Sequence, residues 1–282
     1  MLFARPTVRR RFIRNAIARA LLCAGLSIAW QIANAVGAVA FYYGSEPPWD
    51  ELAAFDLVVV EPDYVRQPPT LTGHRTKVFA YLSVGEVNAS RSYLRAIPES
   101  WRQGTNPQWG GALIDQSQAA WPAFLVEQAI RPLWERGFRG FFLDALDSFE
   151  LYAKTPADKS MQVAGMVRVI EAIKREFPSA ELVLNRGFEL LPAIREHVLA
   201  VAAESLYAGW EPSTKTYRDI PAAWHDPLLE QLRAVRDIHR LPVIVIDYVS
   251  PGDRARAREI AERIKALGFI PWVAIPSLDM LG

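Results

Sequence analysis

The sequence predicts an α/β fold in which eight parallel strands close into a (β/α)8 TIM-type barrel. Three observations support this prediction: strand-like apolar runs occur eight times, helical patterns lie between them, and the 247 residues left after a 35-residue leader (282 less 35) are a common length for one barrel. The alternative is an open doubly wound sheet, which favours a glycine-rich phosphate loop after its first strand. No such loop follows the first run here.

The N-terminal residues 1–35 are typical of a secretory signal peptide. Arginines at positions 9, 10, 11 and 14 give a basic start, residues 16–30 are apolar apart from Arg19 and Ser27, and Ala33-Asn34-Ala35 is a small-x-small cleavage pattern. The alternative is an uncleaved membrane anchor, although a span needs roughly 20 apolar residues without such an interruption. We expect cleavage after Ala35, one mature domain over residues 36–282, and a periplasmic or secreted protein.

The composition excludes several classes of function. Removing the six arginines of residues 1–35 changes the formal net charge from +1 to −5, which disfavours a nucleic-acid partner and favours a neutral or cationic substrate. Cys23 is the only cysteine, so the mature chain has no thiol nucleophile. There is no GxSxG or GxxxxGK[ST] motif, and the four histidines form no HxH or HExxH pair. We therefore expect no metal and no other cofactor.

The predicted elements follow one another in the order that a barrel requires. Strands rich in β-branched and aromatic residues are predicted over residues 39–44, 57–62, 78–86, 140–145, 181–187, 198–205, 241–249 and 269–277. Helices are predicted over residues 121–136, 159–177, 227–240 and 253–267, with Asp253 as the N-cap of the last helix and Gly268 as its end. The loop over residues 88–119 is long enough to be functional.

Three of the strand-like runs end on polar residues of catalytic type: Asp144, Asn185 and Glu204. The carboxyl ends of the strands form the active-site face of a barrel, and a carboxylate that ends a buried apolar strand is costly unless it has a purpose. Two carboxylates are the minimum for cleaving a glycosidic bond, so Asp144 and Glu204 are the predicted catalytic pair. Helix capping is the alternative for Asp144. We expect Asp144 to be the nucleophile and Glu204 the general acid/base, about 5–5.5 Å apart.

Further polar and aromatic residues at strand ends are predicted to bind substrate, because they suit the apolar face and the polar rim of a sugar. They are Tyr43, Glu61, Tyr81, Ser83, Glu86, Asn185, Arg186, Tyr207, Asp247 and Tyr248. A structural salt bridge is the alternative for Arg186 and Asp247, and loop anchoring is the alternative for Glu61.

Six motifs in order, AFYYGS, AYLSVGEVN, GFFLDALDSF, VLNRGFELL, AAESLY and PSLDMLG, cover nearly all of the mature chain. They make it resemble glycoside hydrolase family 114, the endo-α-1,4-polygalactosaminidases, and the related family 166 hydrolase domains of periplasmic Pel polysaccharide proteins. The resemblance implies a (β/α)8 barrel whose catalytic aspartate and glutamate correspond to Asp144 and Glu204. It also implies retaining endo-hydrolysis of α-1,4-linked galactosamine or N-acetylgalactosamine polysaccharide. A non-catalytic polysaccharide-binding barrel of the cell envelope is the alternative, and the chain is either a stand-alone hydrolase or part of a larger protein.

Overall fold

The computed structural model of the protein describes residues 36–71 and 73–281. The barrel lies in the compact unit Ala38–Gly282. The predicted signal peptide and its cleavage site after Ala35 lie outside the described residues. Within residues 36–71 and 73–281, no helix is both long enough and apolar enough to cross a membrane.

Eight parallel strands form the predicted barrel. They are β1 (Val39–Tyr42), β2 (Leu57–Val60), β3 (Lys77–Ser83), β7 (Gly140–Asp144), β8 (Glu181–Asn185), β9 (Val198–Glu204), β12 (Val243–Tyr248) and β13 (Ile270–Ala274), in this order around the sheet. Each strand pairs in parallel with the next. The N–H of Tyr43 donates to the carbonyl of Leu278 at 2.6 Å, which joins the last segment to the first. The eight predicted strands are therefore confirmed, and the barrel is nearly closed.

Aromatic side chains fill the barrel interior and support its mouth. Phe41 of β1 and Phe142 of β7 pack edge to face at 5.0 Å. These strands are not neighbours in the sheet, so the contact crosses the interior. Tyr81 of β3 stacks on Phe142 at 6.3 Å. Because strand side chains alternate between faces, Asp144 points to the same interior as Phe142, one layer nearer the mouth.

The helices lie between the strands as predicted, with differences at their ends. They are α1 (Trp49–Leu52), α2 (Trp121–Glu135), α3 (Pro156–Glu176), α4 (Leu191–Ile194), α5 (Ala222–Asp237) and α6 (Arg254–Ala266). Residues Val126–Ile130 of α2 are π-helical, just before Pro132, which has no N–H to donate. Helix α3 begins before the predicted residue 159 because Thr155 and Asp158 form a capping box. Helix α5 begins before the predicted residue 227 because it tolerates one missing N–H at Pro227.

Two small antiparallel sheets rise from the carboxyl ends of barrel strands. After β3, the long loop forms β4 (Glu86–Val87), β5 (Arg102–Thr105) and β6 (Ala112–Ile114). After β9, a hairpin forms β10 (Ala208–Glu211) and β11 (Thr216–Asp219). The N–H of Gln116 donates to Gln162 Oε1 at 2.8 Å, which fixes the base of the long loop to α3. Both additions therefore stand beside the mouth of the barrel.

Candidate active site

Asp144, Asn185 and Glu204 meet at the mouth of the barrel, at the ends of the adjacent strands β7, β8 and β9. The Asn185 side-chain nitrogen Nδ2 donates to Asp144 Oδ1 at 2.8 Å and to Glu204 Oε1 at 2.9 Å. Both bonds start at one nitrogen, so the two oxygens are no further apart than about 5.7 Å, the sum of 2.8 Å and 2.9 Å. At the ordinary angle of about 120° between amide hydrogens, their separation is about 5 Å.

Three tyrosines surround the two carboxylates. The Tyr81 hydroxyl donates to Asp144 Oδ2 at 2.8 Å, and the Tyr248 hydroxyl donates to Glu204 Oε2. The ring of Tyr43 lies 5.1 Å from that of Tyr81. Burial, and then the charges of Asp144 and Glu204, raise the pKa of Tyr43 well above its ordinary value, so its hydroxyl stays protonated. Each of the four carboxylate oxygens thus accepts one hydrogen bond, and the Tyr43 hydroxyl is left facing the same space.

The surroundings of Glu204 favour its protonated form. Burial is the largest cause that raises its pKa, and the nearby charge of Asp144 raises it further. Hydrogen bonds from Tyr248 and Asn185 and the charge of Arg186 lower the pKa, but the first two causes prevail. A carboxyl group that retains its proton beside an acidic partner is the arrangement that general acid catalysis requires.

Arg186 and Asp247 hydrogen-bond to the backbone at and just after the end of β9. Arg186 Nη2 donates to the backbone carbonyl of Glu204 at 2.8 Å. Asp247 is fully buried, and its carboxylate accepts the N–H groups of Leu206, Tyr207 and Ala208 at 2.6, 2.8 and 3.0 Å. The prediction that Asp247 binds substrate is therefore not supported, because the segment after Glu204 covers this carboxylate and satisfies it with three donors.

Two other predicted binding residues are engaged by neighbouring side chains. Glu61 accepts two hydrogen bonds from Arg91, at 2.7 and 2.9 Å, and this pair anchors the long loop to the end of β2. The ring of Tyr207 lies under the guanidinium of Arg263 at 3.9 Å and beside the ring of His225 at 5.2 Å. Glu61 therefore acts as the loop anchor that was its alternative, and Tyr207 packs against protein instead of facing the two carboxylates.

Ser83 and Glu86 lie on the wall of the mouth. Ser83 pairs in register with Asp144, and its buried hydroxyl has no partner among the described residues. Glu86 follows shortly after and accepts a hydrogen bond from Asn106 Nδ2 at 2.6 Å on Oε1. Their role in binding substrate stays a prediction.

The sequence matches the family model of glycoside hydrolase family GH114 over residues 22–282. The chain belongs to glycoside hydrolase family 114. It is thus a glycoside hydrolase, endo-α-1,4-polygalactosaminidase-like, and the alternative of a non-catalytic sugar-binding barrel is set aside.

Solved structures and curated relatives resemble this hydrolase to different degrees. The glycoside hydrolase domain of PelA from Pseudomonas aeruginosa is 34% identical, with a TM-score of 0.78 over 87% of this chain and 97% of that domain. Ega3 of Aspergillus fumigatus, solved in complex with galactosamine, is 13% identical with a TM-score of 0.58 over 88% of this chain and 94% of Ega3, a likeness of fold alone. An uncharacterized protein of Deinococcus radiodurans is 27% identical over 80% of this chain and 75% of its own length.

The structure of the hydrolase also reveals site residues that the sequence did not indicate. Asp147 lies three residues after Asp144, and burial is the largest cause that raises its pKa. The charge of Arg186 lowers this pKa, and the charge of Asp144 raises it. Asp147 directly precedes the short 3-10 helix Ser148–Leu151, but its side chain makes no capping hydrogen bond. The D-A-L-D spacing was the only available signal for it.

Within residues 36–71 and 73–281, no group of three or more histidine, cysteine, aspartate or glutamate side chains is placed to hold a metal ion. The carboxylate oxygens of Asp144 and Glu204 instead accept hydrogen bonds from neutral amide and phenol groups. Independence from metal stays a prediction.

Proposed function

We propose that this hydrolase cleaves internal α-1,4 linkages in a galactosamine or N-acetylgalactosamine polysaccharide, with retention of the anomeric configuration. The shared amide of Asn185 carries the mechanistic part of this proposal, because it limits the nearest oxygens of Asp144 and Glu204 to about 5.7 Å. Retaining glycosidases hold their carboxyl groups about 5–5.5 Å apart, and inverting ones about 6.5–9.5 Å. Membership of family 114 and the likeness to the PelA domain support the substrate class.

The two carboxylates then have distinct roles. Glu204, whose pKa is raised by burial and by Asp144, donates its proton to the glycosidic oxygen as the bond from that oxygen to the anomeric carbon breaks. Asp144 attacks the anomeric carbon and forms a glycosyl ester. Glu204, now ionised, takes a proton from a water molecule that attacks the same carbon and releases Asp144. Two displacements on one carbon give net retention.

The hydrogen bonds around Asp144 suit a nucleophile. Its two oxygens are oriented by Tyr81 and Asn185, at 2.8 Å each. Both donors are neutral, so they hold the carboxylate in place without the full charge compensation that a salt bridge would provide. Fixed orientation contributes to the rate because the reacting atoms need no further ordering in the transition state.

Incubation of the purified protein with partly acetylated α-1,4-galactosamine oligomers tests the proposal. Mass spectrometry should detect shorter oligomers from internal cleavage, and proton NMR should show the α-anomer as the first product. Initial release of the β-anomer would overturn the retaining mechanism but not the proposed substrate class. Absence of cleavage of every such oligomer would overturn the substrate class.

We also propose that the protein is exported, to the periplasm or beyond the cell. The basic start, apolar centre and Ala33-x-Ala35 pattern of the sequence support this. N-terminal sequencing of protein recovered from outside the cytoplasm should begin at Val36. Recovery of an intact N-terminus in a membrane fraction would indicate an anchor instead.

A further inference from the structure

Trp109 projects from the tip of the long loop, between β5 and β6, with 63% of its surface exposed. Its indole makes no aromatic or cation–π contact with any residue of the described chain. A large apolar ring left in solvent on a loop that follows a barrel strand requires an explanation, because tryptophan is on average highly buried. Flat apolar rings of this kind pack well against the C–H face of a pyranose.

The turn that carries Trp109 is held in one conformation. Asn106 is buried, and its Oδ1 accepts the N–H groups of Gln108 at 2.9 Å and of Trp109 at 3.3 Å. The Asn106 carbonyl accepts the N–H of Gly110 at 2.9 Å, and Gly110 has a φ of +72° that favours glycine. The indole is therefore presented by a preformed turn, so a ligand that packs on it has little loop entropy to overcome.

The turn stands next to Asp144. Asn106 Nδ2 donates to Glu86 Oε1 at 2.6 Å. The chain that leads to Glu86 is still bonded to β7 at Val84, whose N–H donates to the carbonyl of Asp144 at 2.9 Å. Glu86 therefore lies two residues after a direct backbone bond to Asp144, and one hydrogen bond joins Glu86 to the turn.

Glu86 has one oxygen available to a ligand. Asn106 occupies Oε1, whereas Oε2 accepts a hydrogen bond from none of the described residues. Gly111 borders this oxygen, and a Cβ atom at that position would lie 2.8 Å from Oε2. Burial raises the pKa of Glu86, the hydrogen bond from Asn106 lowers it, and the nearby carboxylates of Asp144 and Asp147 raise it again. A positively charged group on a ligand is attracted to such a place.

We propose that Trp109 and Glu86 form a subsite beside Asp144 that binds one amino-sugar unit of the polymer. The pyranose face packs on the indole, and the ammonium group of the same unit meets Glu86 Oε2. The inference rests on the proposed function, because it assigns one unit of that polysaccharide. It adds a distinct expectation: Trp109 contributes to binding whatever the acetylation state, and Glu86 contributes only where the amine is free.

Calorimetric binding of two probes separates these contributions: an α-1,4-galactosamine hexamer and its fully N-acetylated form. The measurements use Glu204→Gln as background, so that the probes are not hydrolysed. Adding Trp109→Ala should weaken both probes about 2- to 10-fold. Adding Glu86→Gln should weaken only the free-amine hexamer, by about fivefold, and less at high salt. Glutamine retains Oε1 for Asn106, so the turn stays anchored.

Trp224 provides the matched control. It is a tryptophan of similar exposure, 59%, but Arg218 covers its ring at 4.9 Å. Trp224→Ala should leave both dissociation constants unchanged. Equal losses of affinity from Trp109→Ala and Trp224→Ala would indicate nonspecific binding to exposed tryptophans and would overturn the subsite. A Trp109→Ala variant that binds both hexamers like the background protein would also overturn it. If the background protein binds neither hexamer, the proposed substrate fails together with the subsite; if it binds both and Trp109→Ala has no effect, the subsite alone fails.

Discussion

Replacing Asn185 tests the geometry on which the proposed mechanism depends. Asn185→Ala removes both hydrogen bonds that one nitrogen donates to Asp144 and Glu204. When both carboxylates are ionised, their two unit charges about 5 Å apart repel by about 3 kcal/mol at an effective dielectric constant of about 20. Asn185 is the only donor among the described residues that bonds both carboxylates, so its removal takes away the group that offsets this repulsion.

The loss can be bounded from the two bonds. A hydrogen bond to a charged group contributes about 1.5–3 kcal/mol, and water will replace part of what is lost. If the net loss equals one such bond, kcat/KM falls about 10- to 150-fold. Asn185→Ser retains one hydroxyl donor, so its loss should lie between the wild-type and alanine values.

The pH profile distinguishes a positioning role from general damage to the fold. The hydrogen bond from Asn185 lowers the pKa of Glu204, so its removal should raise that pKa. The alkaline limb of kcat/KM, where the general acid loses its proton, should then move to higher pH. Thermal unfolding serves as the control for folding. Wild-type kcat/KM with an unmoved alkaline limb in Asn185→Ala would refute the shared-amide reasoning.

Four further predictions follow from the same site. Asp144→Asn should abolish formation of the glycosyl-enzyme, which mass spectrometry of quenched reactions detects. Glu204→Gln should lose turnover of natural polymer but retain activity on substrates with activated leaving groups. Near-wild-type activity of either variant on polymer would disprove the catalytic pair. Tyr248→Phe removes a hydrogen bond that lowers the pKa of Glu204, so the alkaline limb of the kcat/KM profile should move to higher pH. A move to lower pH would contradict this. Exhaustive chelation should leave activity unchanged, since no motif of clustered histidine or cysteine ligands is present; activity restored by zinc or calcium would show the opposite. The KM for free-amine polymer should rise with salt concentration, because the Debye screening length falls to about 3 Å at 1 M salt. A KM that does not change with salt would exclude electrostatic selection of the substrate.

The positions of Asp144, Asn185 and Glu204 could be predicted because they depend on short-range patterns. Each ends a continuous apolar run, and the carboxyl ends of parallel strands meet on one face of the barrel. What Asn185 does there could not be predicted. The sequence indicated a donor to the sugar, whereas both amide hydrogens are used by the two carboxylates, and only Oδ1 is left without a partner among the described residues.

Asp247 shows why strand-end patterns alone do not identify a catalytic acid. It ends an apolar run as Asp144 does, yet the chain after Glu204 folds over it and uses it as an acceptor for three N–H groups. Arg91, Asn106 and Trp109 were missed for a related reason. They belong to the long loop, whose conformation depends on contacts with distant residues such as Glu61 and Glu86, and no local periodicity encodes those contacts.

The buried carboxylate of Asp247 also affects how mutational scans of this enzyme will have to be interpreted. Its three acceptor bonds fix the backbone that immediately follows Glu204, so a substitution there displaces the acid without touching substrate. A screen that records only activity would rank Asp247 alongside Asp144 and Glu204. An activated substrate would separate Asp247 from Asp144, because a displaced acid can still be bypassed by a good leaving group, whereas a missing nucleophile cannot.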